Sequence, residues 1–152
     1  MSEIEIEIDG NLVKANQGDS IISIADREGI DVPRFCYHKK LSVAANCRMC
    51  LVDVEGVPKA QPACSTPAAN GMIINTKNDK AKFAQKAVME FLLINHPLDC
   101  PICDQGGECE LQDVAMEYGS DVSKFNEGKR IVPDKGIGAL IQTDMTRCIH
   151  CT

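Results

Sequence analysis

Glutamate and isoleucine alternate strictly from Glu3 to Ile8, a period of two that predicts a strand with Ile4, Ile6 and Ile8 facing a core. Asp9-Gly10 then turns the chain into a second strand, Leu12 to Ala15, as a β-hairpin. Ser20 is placed to cap a short helix with Ile21, Ile24 and Ala25 on one face, and Gly29 to end it in the left-handed conformation. Leu51 to Val54 and Met72 to Asn75 read as further strands, with turns at Gly56-Val57-Pro58 and Asn70-Gly71. The period lengthens after Asn78, which caps a predicted helix over 79–95 with Phe83, Ala84, Ala87, Val88, Phe91 and Leu92 on one stripe. Pro97 stops that helix, leaving His96 at its end. A further helix is expected from Glu108 to about Tyr118, followed by a polar, irregular stretch over 119–138.

Composition makes the core aliphatic: 44% of the 152 residues are hydrophobic, but only 4% are aromatic and none is Trp. The net charge of -6, with no basic run longer than two residues, disfavours nucleic acid and anionic membranes as partners. No stretch reaches the roughly 18 to 20 apolar residues of a membrane span, so any membrane link is expected through partner proteins. MSEIEIEIDG lacks signal-peptide and transit-peptide character, which sets the expectation of a cytosolic chain. Neither a G-x-G-x-x-G after a strand nor a P-loop is present, and Gly136-Ile137-Gly138 lacks the third glycine, so no nucleotide site is expected.

Nine cysteines change the picture most. Cys47/Cys50, Cys100/Cys103 and Cys148/Cys151 are Cys-x2-Cys pairs, a spacing of metal ligands rather than of disulfides in a reducing compartment. The densest stretch is His96-x3-Cys100-x2-Cys103-x5-Cys109, in which Gly106-Gly107 is expected to let the backbone curl through positive φ. Three readings fit these four residues: a zinc site, a satisfied core histidine beside reduced cysteines, or a 4Fe-4S cluster with one imidazole ligand. Upstream, Cys36-x10-Cys47-x2-Cys50-x13-Cys64 spreads four thiols over twenty-nine residues. The loop Leu41 to Asn46 is small enough for its N–H groups to reach cluster sulfurs, and Arg34 and Arg48 are placed to offset anionic charge. A zinc ribbon joining Cys47/Cys50 to Cys100/Cys103 would leave Cys36, Cys64 and Cys109 without roles.

DVPRFCYHKKLSVAANCRMCLVDVE, FLLINHPLDCPICDQGGECELQD and FNEGKRIVPDKGIGALIQTDMTRCIHCT together resemble the large iron-sulfur subunit of NADH-quinone oxidoreductases, the respiratory complex I family, essentially from end to end. The resemblance implies an α+β chain. A β-grasp 2Fe-2S ferredoxin-like domain occupies residues 1–76, with Cys36, Cys47, Cys50 and Cys64 as ligands. A connecting helix and mainly helical 4Fe-4S domain, ligated by His96, Cys100, Cys103 and Cys109, occupies 77–118. Residues 119–152 are then a linker and the truncated start of another 4Fe-4S segment, with Cys148 and Cys151 as two ligands of an incomplete set. His38 and His150 match no ligand position of the pattern, and Met49, Met89, Met116 and Met145 read as gap-filling core or interface residues.

The function so implied is one-electron relay from NADH, through a flavin on a partner subunit, toward quinone, coupled in the whole complex to proton translocation. No substrate-converting site is expected in this segment. The implied partners are a flavin- and NADH-binding subunit and other iron-sulfur subunits. The implied location is peripheral, on the cytoplasmic side of a bacterial inner membrane or the matrix side of the mitochondrial one. Two alternatives accompany this reading: the electron-input module of an iron-iron or NAD-linked hydrogenase or formate dehydrogenase, and a zinc-stabilised scaffold without redox function.

Overall fold

A computed structural model describes residues 2–151. β1 (Glu3–Ile8) and β2 (Asn11–Asn16) form the expected hairpin, pairing Ile6 with Val13 and Ile4 with Ala15. Asp9 and Gly10 both take positive φ, 49° and 84°, the geometry of a tight hairpin turn whose twist matches the strands. The Asp9 carboxylate also accepts from the Thr76 N–H at 2.7 Å and the Thr76 hydroxyl at 2.6 Å, fastening the end of the last strand to this turn.

α1 (Ile21–Arg27) is capped by Ser20, whose hydroxyl accepts from the Ser23 N–H at 3.4 Å, and it ends at Gly29 with φ 70°. Its buried face also includes Ile22. β3 (Leu51–Val54), β4 (Gln61–Pro62) and β5 (Ile73–Asn75) complete a five-stranded mixed sheet of order β2-β1-β5-β3-β4, in which only β1 and β5 are parallel. β4 carries no alternating signature in its two residues, and its Pro62 is tolerated because the strand lies at the sheet edge. Ile4, Ile6, Ile8, the apolar face of α1, Val52, Val54 and Ile74 share one core.

α2 (Asp79–Leu93) begins where predicted, with the Asn78 side-chain oxygen accepting from the Ala81 N–H at 2.9 Å. Its docked face differs from the predicted stripe. Ala81, Gln85 and Met89 are buried, while Phe83 and Phe91 are 76% and 75% exposed and lie on the opposite side. The cause is polar: the Gln85 amide donates to the Leu51 and Thr76 carbonyls at 3.0 and 3.4 Å, so a hydrogen-bonding residue occupies the contact with the sheet. α3 (Glu110–Tyr118) starts two residues later than expected, since Cys109 is its N-cap.

A second core joins Phe35, Cys36, Cys47 and Met49 to Val88, Met89 and Leu92 of α2 and Leu111 and Val114 of α3. Met49 and Met89 fill it as expected, but Met116 is 88% exposed and fills no core. Between α3 and a 3-10 turn at Met145–Arg147, the described chain forms only an isolated bridge, Gly136 to Gln142. No helix among the described residues is long and apolar enough to cross a membrane.

Candidate metal centres

The first group of thiols lies between the two cores. The β3–β4 register pairs Leu51 with Pro62, and the Ala63 N–H donates to the Cys50 carbonyl at 2.9 Å, which sets Cys50 beside Cys64. The two thiols are neighbours, and each acts on the charge of the other. On the other side, residues 36–50 form a loop without regular structure, in which Ala45 and Arg48 adopt φ 51° and 61°. Left-handed backbone at residues with a Cβ costs about 1 to 2 kcal/mol each, and here it turns successive N–H groups inward. Asn46 and Cys47 donate to Cys36 Sγ at 3.3 and 3.4 Å, and Met49 donates to Cys47 Sγ at 3.5 Å. Of the loop Leu41 to Asn46, the last residue thus places its N–H on a cysteine sulfur.

All four thiols are buried, and the Cys47 N–H on Cys36 Sγ joins the first two directly. Burial opposes the Cys36 thiolate, yet the N–H groups of Cys47 and Asn46 prevail and hold its pKa below the ordinary thiol value. Burial pushes Cys47 up, and burial with the neighbouring Cys64 pushes Cys50 up to about 12. Arg34 is not spent on this site. Its guanidinium grips Asp26 of α1 with two hydrogen bonds of 2.7 and 2.6 Å and lies 5.8 Å from the Tyr37 ring centre, while Arg48 is exposed.

The second group surrounds a cavity of about 650 Å³ walled by Leu93, Leu111 and Ala115 and lined by His96, Cys100, Cys103 and Cys109. A 3-10 turn, Cys100–Ile102, presents the first two thiols, and the Gly106 N–H donates back to the Cys103 carbonyl at 2.9 Å. The two glycines have different reasons. Gly107 takes φ 91°, whereas Gly106 has no positive φ but no room, since a Cβ there would lie 2.5 Å from the Cys100 carbonyl oxygen.

His96 is held below its ordinary pKa by burial and by the positive charges of Lys129 and Arg147, favouring the neutral imidazole that ligates metals. Its Nδ1 is buried without a hydrogen-bond partner. An imidazole with unspent polar capacity, on the wall of a cavity that also presents three thiols, fits a metal-sulfur occupant better than a satisfied core histidine.

Cys148 and Cys151 are exposed. Their segment nevertheless touches both sites, because the Asn46 side-chain amide donates to the His150 carbonyl at 3.0 Å and Arg147 donates to Asp99 at 3.2 Å. Sequence does not single out Lys129 or Arg147 as residues of the His96 site; adjacency to Cys148 is the only hint for Arg147, and none exists for Lys129. Among the described residues no three His, Cys, Asp or Glu side chains gather around a point that would hold a single metal ion.

The chain belongs to the family of 2Fe-2S iron-sulfur cluster binding domains, whose profile matches residues 1–79. Residues 85–124 match the NADH-ubiquinone oxidoreductase-G iron-sulfur binding region, so a 2Fe-2S domain is followed by a 4Fe-4S region in an α+β chain. Similar proteins include the mitochondrial NADH-ubiquinone oxidoreductase 78 kDa subunit of Candida albicans, 53% identical over 100% of this chain and 21% of that protein. The mitochondrial NADH dehydrogenase [ubiquinone] iron-sulfur protein 1 of Solanum tuberosum is 56% identical over 98% of this chain and 20% of its own length. The NADH-ubiquinone oxidoreductase 75 kDa subunit of Reclinomonas americana is 54% identical over 98% and 22%. The chain thus spans about a fifth of the length of these relatives. In fold it resembles a chain of an NAD+-reducing [NiFe]-hydrogenase, with a TM-score of 0.86 and 24% identity over 97% of this chain and 62% of that one.

Proposed function

We propose that this chain is an electron-relay segment of the large iron-sulfur subunit of an NADH-quinone oxidoreductase. Iron-sulfur clusters supply one-electron redox chemistry, and the protein's part is to hold, insulate and tune them. The observation that carries the reading is the set of four buried thiols, Cys36, Cys47, Cys50 and Cys64, with backbone N–H groups donated to the sulfurs of Cys36 and Cys47. Four thiolates are what a 2Fe-2S cluster requires, and these four are proposed to hold it. The strand order, with α1 following the first hairpin, supports a β-grasp domain over residues 1–76.

His96, Cys100, Cys103 and Cys109 are proposed to hold the 4Fe-4S cluster of a domain over 77–118. Residues 119–152 begin a further segment whose Cys148 and Cys151 are two ligands of a second 4Fe-4S cluster. The N–H groups of Asn46 and Cys47 stabilise negative charge on Cys36, and the second core shields Cys36 and Cys47 from water. In the full protein the electrons come from NADH by way of a flavin on a partner subunit and leave toward quinone. Membrane association runs through partner subunits, on the cytoplasmic or matrix side.

Iron and acid-labile sulfide are the direct test. Anaerobically purified protein should carry about six iron atoms, from one 2Fe-2S and one 4Fe-4S cluster, with both signals visible by electron paramagnetic resonance after reduction. Stoichiometric zinc without acid-labile sulfide would overturn the proposal.

A further inference from the structure

Two nitrogens on the wall of the His96 cavity are buried without hydrogen-bond partners: His96 Nδ1 and Arg147 Nε. The first belongs to the proposed ligand. The second can only donate. Asp144 lies 2.8 Å from Arg147 Nε, but that contact is not aligned as a hydrogen bond, so the N–H remains unspent. The guanidinium is otherwise fixed from two sides, with Nη2 donating to Asp99 at 3.2 Å and the 3-10 turn Met145–Arg147 holding its backbone. Lys129 lines the same cavity, but its ammonium donates to the Leu93 and Ile94 carbonyls at 2.7 and 3.2 Å and so closes the end of α2. Arg147 therefore combines a positive charge facing the thiols with an available donor.

We propose that Arg147 is a positioning residue for the 4Fe-4S site, donating its Nε–H to the sulfur that fills the cavity and making that cluster easier to reduce. The proposal rests on the assignment of His96, Cys100, Cys103 and Cys109 as its ligands. The reason is electrostatic: reduction adds negative charge, and a nearby cation and an N–H donated to sulfur both favour the more negative state. Asp99 and Asp144 orient the guanidinium and temper its charge. Because Cys148 follows directly, the same side chain ties the next cysteine segment to this site.

The test uses the full-length chain with its clusters in place. A redox titration of the 4Fe-4S signal should show Arg147→Gln about tenfold harder to reduce, about 59 mV for one electron, while Arg147→Lys, which keeps the charge, stays closer to the unmodified protein. An intact signal with an unmoved or raised midpoint in Arg147→Gln overturns the proposal. Should that variant lose its cluster, unmodified protein labelled with 15N-arginine decides the matter through nitrogen hyperfine coupling to the reduced cluster. Coupling that disappears in Arg147→Lys supports the contact, and absence of arginine coupling in the unmodified protein overturns it. If the unmodified protein carries no 4Fe-4S signal, the ligand assignment itself fails, a result distinct from an unmoved midpoint.

Discussion

Gly106 marks the tightest backbone constraint at either site, because the turn from Cys103 to Cys109 passes directly over the Cys100 carbonyl. A methyl group at that position cannot be absorbed by a flexible side chain, since the atom it meets is backbone. Gly106→Ala should therefore displace the Cys100–Ile102 turn and remove the 4Fe-4S signal, while the 2Fe-2S signal persists on its separate thiols. Iron content should fall from about six to about two, and retention of the full complement would contradict the prediction. Sequence spacing brings out all ten candidate ligands, because metal binding imprints residue type and interval. It does not distinguish Gly106 from Gly107, since lack of space is a tertiary fact while positive φ is a local one. Arg34 escapes the sequence reading for a similar reason: a guanidinium near cysteines along the chain is held by Asp26, a carboxylate on another element.

Helix α2 shows what periodicity can and cannot decide. Its start is legible from the Asn78 cap, whereas its end falls at Leu93, two residues before the expected 95; apolar residues occur on two faces at helical spacing, and only the fold selects between them. The sheet selects the face carrying Gln85, which satisfies carbonyls that an apolar side chain would leave bare. The start of the helix is anchored to β3 by Asp53, whose carboxylate lies 2.6 Å from the Lys80 ammonium and accepts from the Asn78 amide at 2.8 Å. The hydrogen bonds from Lys80 and Asn78 hold Asp53 below the ordinary carboxylate value of 3.8. A depressed folded pKa contributes stability that is present above the unfolded value and lost as pH falls through the lower folded one. Asp53→Asn should accordingly lower stability by about 1 kcal/mol at pH 7, and the gap from the unmodified protein should close toward pH 3. Urea unfolding at the two pH values checks this; a gap that persists in acid would place the cost in packing instead.

At the scale of the whole molecule, residues of both thiol groups border one apolar core. Cys36 and Cys47 line one side of the second core, Cys109 borders the other, and Met49, Met89 and Leu111 fill the space between. Loop, helix and turn are thereby packed on common side chains, although the ligand sets are disjoint in sequence. Met89 is fully buried at this junction, and its unbranched thioether conforms to surfaces contributed by three elements. Truncation to Ala leaves a cavity and should cost about 2 to 5 kcal/mol. The loss should also be felt at both sites at once, because neither Cys47 nor Cys109 keeps its packing when this core loosens. Met89→Ala should thus lower the unfolding midpoint and broaden both the 2Fe-2S and 4Fe-4S resonances, in contrast to Gly106→Ala, which acts on one. Paired spectra of the two variants, recorded at equal protein concentration, make the comparison. If Met89→Ala is destabilised but perturbs only one resonance, the core is a boundary between separate units, and each cluster site is held by its own segment alone.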